Sequence, residues 1–440
     1  MKYDIVIMGG GIGGCTAATE SAKQGLRTAI IEMNEIGGVC LNKGCIPMKK
    51  SKIIAMNAQN SYGANWEGIA EQIQSDVTEL RLKMEKYIQG LSIDLYRGQS
   101  SFVNDHTVVV GDSILEAEYI IIATGSRPIV PKCLSDLLRL STIDDFVSSF
   151  PTIPKDVVII GAGISGIELA YVLQLAGTDS IVIVEQNERI LSSMWSETER
   201  IVERQLYEHG IELIKGVQVT TAEEDMERVF LFLDNGDVLE TGYVITACGR
   251  KENTNGLRLE NTGVKIENNR IITDERHCTA VKNIFAVGDV AGKMKLAYLA
   301  AAQARNVICE IVGKAYKKAE QIFPQCLSLW TSIGVVGKSE TLCLQENIKV
   351  KKQTYSACNE GAWHIAGDVS GIIYMVFRED NHQIQGAMVC AENDTEQLIN
   401  LLTIVINQGM TMEDLAAQVF FHPSYSEAIA EAADLSEIQM

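Results

Sequence analysis

The apolar residues near the start of the chain fall in strand–helix–strand order. Tyr3 to Met8 is a short run with apolar side chains on both faces, as expected of a buried parallel strand. Gly9-Gly10-Gly11-Ile12-Gly13-Gly14 follows, then a helical stretch to about Gln24, a stop at Gly25 and a second strand from Thr28 to Glu32. The pattern returns some 150 residues later. Val157–Ile160 reads as a strand, Gly161-Ala162-Gly163-Ile164-Ser165-Gly166 as the turn, Ile167–Leu175 as a helix and Ile181–Glu185 as the next strand. Two further buried strands end in glycine, Ile121-Ile122-Ala123-Thr124-Gly125 and Ile284-Phe285-Ala286-Val287-Gly288-Asp289. From about Phe323 the character changes. Strands at Ile372–Phe377 and Gln385–Val389 precede an apolar helix over Thr395–Gln408, and an Ala-rich helix closes the chain. The expected fold is α/β, with two Rossmann-like nucleotide-binding domains and a C-terminal α+β domain.

The glycine spacing adds chemistry to this pattern. Gly9, Gly11 and Gly14 form one G-x-G-x-x-G frame, and Gly161, Gly163 and Gly166 form another. The first glycine permits the tight turn, the second lets backbone approach a pyrophosphate, and the third allows helix to pack on strand. Glu32 and Glu185 end the second strand of each unit, where a carboxylate accepts from a ribose 2′-hydroxyl. Glu185 would repel a 2′-phosphate and the nearest cation, Arg189, lies four residues on, so NAD is expected at the second site. Asp289 is placed to bind a ribityl or ribose hydroxyl. Together with Thr124, Gly125 and Gly288 it fits one large cofactor bound across the first domain.

Between the two copies lies Gly37-Gly38-Val39-Cys40-Leu41-Asn42-Lys43-Gly44-Cys45-Ile46-Pro47. A dithiol beside a dinucleotide fingerprint couples two carriers of electron pairs. Isolated cysteines usually serve as small buried apolar residues, and the remaining nine of the eleven are scattered. Scattered thiols suit a reducing cytoplasm. None makes a Cys-x2-Cys pair, so no metal site is expected.

The 440 residues suffice for about three domains. With 46% hydrophobic and 22% charged residues the composition is that of an ordinary globular protein. A net charge of −19 disfavours nucleic acid and anionic membrane as partners. No signal peptide, transit segment or apolar run of membrane-spanning length is expected, which points to the cytoplasm.

These motifs resemble the pyridine nucleotide-disulfide oxidoreductases, and within them the dihydrolipoamide dehydrogenases, over essentially the whole length. The resemblance rests on both fingerprints, Gly37-Gly38-x-Cys40-x4-Cys45-Ile46-Pro47, Ala123-Thr124-Gly125, Gly288-Asp289, and His422-Pro423 with Glu427. It implies FAD in a domain spanning 1–148 and 274–320, NAD in 149–273, and homodimerisation through 321–440. It further implies that Cys45 is the thiol nearer the flavin and Cys40 the interchange thiol. His422 would be the base contributed by the other subunit, oriented by Glu427, and Lys49 would pair with Glu168 near the flavin. Cofactor contacts are also implied at Ala123, Gly249 and Ala297. Expected partners are a lipoyl carrier protein or components of a 2-oxo acid dehydrogenase or glycine-cleavage complex, with no lipoyl segment ahead of the fingerprint.

Departures from the family pattern bear on the substrate. Trp330-Thr331-Ser332 replaces a Pro-Glu step, Tyr298 stands in a common His position, and Met48 replaces a small polar residue. The alternatives are an NAD(P)H-dependent reductase of glutathione- or coenzyme A-type disulfides, or a divergent non-catalytic flavoprotein subunit.

Overall fold

The computed structural model describes residues 1–59, 67–149, 152–292, 294–315, 322–357, 360–368 and 370–434. They divide into two compact units. One comprises 1–161, 172–184 and 217–320; the other comprises 162–171, 185–216 and 321–440.

The first unit is built on β1 (Lys2–Met8), which pairs in parallel with β2 (Thr28–Glu32) on one side. The sheet continues outward through β3 (Asp94–Arg97), with β4 (Ser100–Asn104), β5 (Thr107–Val110) and β6 (Ser113–Ile122) on the far side of β1. Strand Ile284–Ala286 adds in parallel to β6. The apolar run of β1 splits by the period-two rule. Val6 and Met8 pack into a core with Ala29, Ile31, Ile120 and Ile122. Ile5 and Ile7 pack on the opposite face with Ala17 and Ala18 of α1 (Ile12–Lys23) and Ala304, Val307 and Ile308 of helix Ala297–Ile311. Both faces are covered, which explains the unbroken apolar run Ile5–Met8.

Four strands repeat the plan in a second parallel sheet, in the order Ser180–Glu185, Asp156–Ile160, Val244–Thr246, Leu140–Thr142. Helix Ile164–Leu175 begins three residues earlier than its apolar pattern suggests. The turn of helix carrying Ser165 and Gly166 is itself helical, and sequence periodicity cannot register a first turn made of small residues.

In the second unit, five antiparallel strands run in the order Pro324–Leu327, Ser332–Gly337, Ile384–Ala391, Ile372–Arg378, Val350–Ser356. Leu398, Leu402 and Ile406 of helix Thr395–Asn407 and Ile429 of helix Glu427–Ala433 share one core with Trp363 of helix Gly361–Ala366 and with Phe377 and Val389 of this sheet. No helix among the described residues is long and apolar enough to cross a membrane.

Candidate active site

Both fingerprints fold the same way, down to the atoms. Gly9 takes φ +110°, and a Cβ there would lie 2.3 Å from the carbonyl oxygen of Ala123; Gly161, at φ +113°, stands 2.5 Å from that of Ala247. In the first copy, Glu32 accepts from the Gly10 N–H at 2.6 Å and the Asn34 N–H at 2.7 Å. In the second, Glu185 accepts from the Ala162 N–H and the Asn187 N–H, both at 2.9 Å. Each carboxylate thus braces its own glycine turn from the end of the neighbouring strand, and each is about 9% exposed. No side chain caps α1, so the amides of its first turn are left for a ligand. A Cβ on Gly163 would meet nothing within 4 Å. These open, amide-lined helix starts fit the pyrophosphate of a dinucleotide.

The dithiol segment hangs on the first of these turns. The Gly37 N–H donates to the Gly10 carbonyl at 2.8 Å, and Gly11 and Gly37 form a parallel bridge. Gly38, at φ +59°, approaches so closely that a Cβ would lie 2.7 Å from the Gly11 Cα. Cys40 then sits in α2 (Gly38–Asn42) and Cys45 opens α3 (Cys45–Gln59). Pro47 falls in the first turn of α3, where its missing N–H costs nothing. Lys49 follows Cys45 by one turn of the same helix.

Cys40 is half-buried and Cys45 exposed, and their thiols are in hydrogen-bonding contact. That hydrogen bond, then burial, hold the Cys40 thiol well above the ordinary thiol range, with the Asp289 carboxylate adding a smaller push the same way. Other buried thiols are raised by burial: Cys15 and Cys390 are pushed up to about 12. A thiol is nucleophilic only as thiolate, so Cys15 and Cys390 are inert and Cys40 needs a base.

Asp289 belongs to the turn after strand Ile284–Ala286. The Gly288 N–H donates to Gln303 Oε1 at 2.7 Å, which fixes that turn. Ser126 Oγ donates to Asp289 Oδ2 at 2.5 Å. Thr124 and Asn253 exchange hydrogen bonds, Oγ1 to carbonyl at 2.7 Å and Nδ2 to carbonyl at 3.0 Å. Strands Ser126–Pro128 and Arg250–Glu252 pair between these contacts. Gly249, at φ +86°, precedes Arg250, and its carbonyl accepts from the Ile129 N–H. Ala297 is the first residue of its helix, next to exposed Tyr298.

In the second unit, His422 Nδ1 lies 2.8 Å from Glu427 Oε1 beside a cis His422–Pro423 peptide. Glu427 also accepts from the Ser424 N–H at 2.8 Å, and this bond, then His422, holds its carboxyl below the usual range. The His422 side chain is 78% exposed. Glu168 accepts from the Ser328 N–H at 2.9 Å. Trp330, at one of the departures, stacks on His209 with centroids 3.7 Å apart, while Gln205 bonds both backbone groups of Thr331. Among the described residues no group of three or more His, Cys, Asp or Glu could hold a metal ion.

Reading the sequence singled out Gly125, Gly249 and Asp289 but not Ser126, Arg250 or Asp144. The two residues adjoining the glycines were the available signal. Their roles depend on pairing across more than a hundred residues of chain.

Comparison with known proteins fixes the class. The model of the pyridine nucleotide-disulphide oxidoreductases matches residues 3–304, and that of their dimerisation domain matches 323–433. The chain belongs to the pyridine nucleotide-disulphide oxidoreductase family, whose members are FAD-dependent and NAD(P)-linked, and it is a flavoprotein oxidoreductase. It is 30% identical to the dihydrolipoyl dehydrogenase of Geobacillus stearothermophilus over 99% of this chain and 96% of that protein. It is 29% identical to the dihydrolipoyl dehydrogenase of Chlamydia muridarum, covering 99% and 97%. Among solved structures, the HOCl-induced flavoprotein disulfide reductase RclA from Escherichia coli superposes with a TM-score of 0.90 at 24% identity, over 99% and 100% of the two chains. LpdA from Mycobacterium tuberculosis gives 0.91 at 20% identity over the full length of both.

Proposed function

We propose that the protein is a homodimeric dihydrolipoyl dehydrogenase, moving electron pairs from a dihydrolipoyl group on a carrier protein to NAD through Cys40–Cys45 and FAD. The observation that carries this is a contacting thiol pair whose loop is hydrogen-bonded directly to a dinucleotide turn. On this reading the FAD domain would comprise 1–148 and 274–320, the NAD domain 149–273 and the dimerisation domain 321–440. FAD would be held by the Gly9, Gly11 and Gly14 turn, Glu32, Ala123–Gly125, Gly288 and Asp289, with Ala297 alongside. NAD would be held by the Gly161, Gly163 and Gly166 turn, Glu185 and Gly249.

The chemistry of the thiols is disulfide exchange. One substrate thiolate attacks Cys40 of the oxidised pair, and the Cys45 sulfur leaves as thiolate. The second substrate sulfur then attacks the first, closing the substrate disulfide and releasing Cys40 as thiol. The protein has gained two electrons, and the substrate has lost two electrons and two protons. His422 of the partner subunit takes a proton at Nε2, since Glu427 holds Nδ1. Lys49, one turn after Cys45, and Glu168 would both serve the flavin site, the lysine supplying positive charge. Bound FAD supplies the two-electron link between the dithiol and the nicotinamide.

A panel of lipoamide, glutathione disulfide and coenzyme A disulfide, each with NADH and NADPH, tests the reading. Turnover should be confined to lipoamide with NADH. Turnover of another disulfide alone would overturn the assignment of substrate, and no turnover of any would favour a non-catalytic flavoprotein.

A further inference from the structure

The Asp289 carboxylate is the end of a longer chain of contacts. Arg250 grips Asp144 with both terminal nitrogens, Nη1 to Oδ1 at 2.7 Å and Nη2 to Oδ2 at 3.0 Å. Asp144 is buried, 6% exposed, so this pairing is held away from water. The same guanidinium donates through Nε to Ser126 Oγ at 2.8 Å and through Nη2 to the Ser126 carbonyl at 3.0 Å. Lys295 donates to the Arg250 carbonyl and pairs with Glu252 at 3.1 Å, closing the other side.

A serine hydroxyl owns one hydrogen and two lone pairs. Because Arg250 Nε can only donate, Ser126 Oγ must accept there. Its single hydrogen is therefore committed to Asp289 Oδ2, 2.5 Å away. Ser126 is itself 4% exposed, so bulk solvent does not compete for that hydrogen. One carboxylate oxygen of Asp289 is thus occupied from the protein side.

We infer that Asp144, Arg250 and Ser126 form a positioning relay that orients the Asp289 carboxylate, leaving its second oxygen to accept from a ribityl hydroxyl of FAD. The relay rests on the proposed role of Asp289 in flavin binding. It also ties flavin retention to the strand pair Ser126–Pro128 and Arg250–Glu252, which joins the segment after Gly125 to the segment after Gly249.

The test is the rate of FAD release from diluted holoenzyme, followed by flavin fluorescence, with the thermal unfolding of each variant measured beside it. Asp289→Ala and Ser126→Ala should each speed release about ten- to a hundredfold, the range of one charge-assisted hydrogen bond. Ser126→Thr, which keeps the hydroxyl, should restore slow release. Arg250→Met combined with Ser126→Ala should release no faster than the faster single variant, because the two act on one hydrogen bond. Additive acceleration would reduce Arg250 to a clamp on the strands and overturn the relay. Wild-type release from Ser126→Ala, with fast release from Asp289→Ala, overturns the relay alone. Wild-type release from Asp289→Ala overturns the flavin contact and the relay together. Should Ser126→Ala hold no flavin through misfolding, Arg250→Lys against Arg250→Met decides: the lysine can still donate to Ser126 and should release more slowly, and equal rates overturn the proposal.

Discussion

Two side chains explain much of the chemistry at the residue scale. The Cys40 thiol is raised chiefly by its hydrogen bond to Cys45, so the pair titrates as a unit and not as two independent thiols. Replacing Cys45 by alanine removes that bond, and the Cys40 thiol should move down toward the ordinary range of about 8.5. The rate of Cys40 alkylation by iodoacetamide should then reach half its maximum at lower pH than in the reduced native protein; an unchanged or higher midpoint refutes the coupling. The division of labour is separately testable. Cys45→Ser leaves Cys40 to attack lipoamide with no partner to resolve the product, so a mixed disulfide should accumulate and be seen by mass spectrometry. Cys40→Ser should trap none, and both variants should lose lipoamide turnover. Glu185 makes the other prediction at this scale. Its carboxylate, braced by Ala162 and Asn187, accepts from a 2′-hydroxyl and repels a phosphate, a difference of ~1–3 kcal/mol. NADH should therefore exceed NADPH in kcat/KM by about ten- to a hundredfold, and Glu185→Ala should narrow the gap.

At the scale of elements, the strands and glycine turns of both fingerprints were legible because they are local. An apolar run, a glycine spacing and a terminal acid all sit within about thirty residues. Thr28–Glu32 was expected at the bounds the structure has. Helix Ile164–Leu175 of the second fingerprint starts three residues before its apolar pattern because Ser165 and Gly166 are weak helix formers. What could not be read was contact between segments. Nothing in Gly37-Gly38 announces that it hydrogen-bonds to Gly10, or that Gly38 lies against Gly11. The Ser126–Arg250 contact, across 124 positions, is the same kind of miss. Gly38→Ala tests the first contact. Its φ of +59° and the 2.7 Å approach to Gly11 leave no room for a Cβ, so the segment must shift or strain by ~1–3 kcal/mol. The variant should lose lipoamide turnover and show a lower Tm. Native turnover would mean that the dithiol does not need its anchor on the fingerprint.

For the whole molecule, the decisive question is where the acid–base group of each site comes from. His422 and Glu427 form a dyad within the dimerisation region, close by each other and distant in sequence from Cys40 and Cys45. If His422 serves the partner's dithiol, loss of a cysteine and loss of the histidine are complementary defects. His422→Gln alone should slow the disulfide half-reaction about 10²–10⁴-fold, while reduction of the flavin by NADH stays near native. Cys40→Ser alone should abolish lipoamide turnover. Refolding or co-expressing the two variants in equal amounts would give hybrids in about half of the dimers, by random pairing of a two-fold assembly. Each hybrid holds one site with both lesions and one with neither. Activity should therefore return to about a quarter of native, counted per total protein, on the same two-fold statistics. A chain that supplied its own histidine would carry one lesion in every site of the mixture. Failure to recover activity, in a preparation shown by tagged pull-down to contain hybrids, would place the whole reaction within one subunit and remove His422 of the partner from the mechanism.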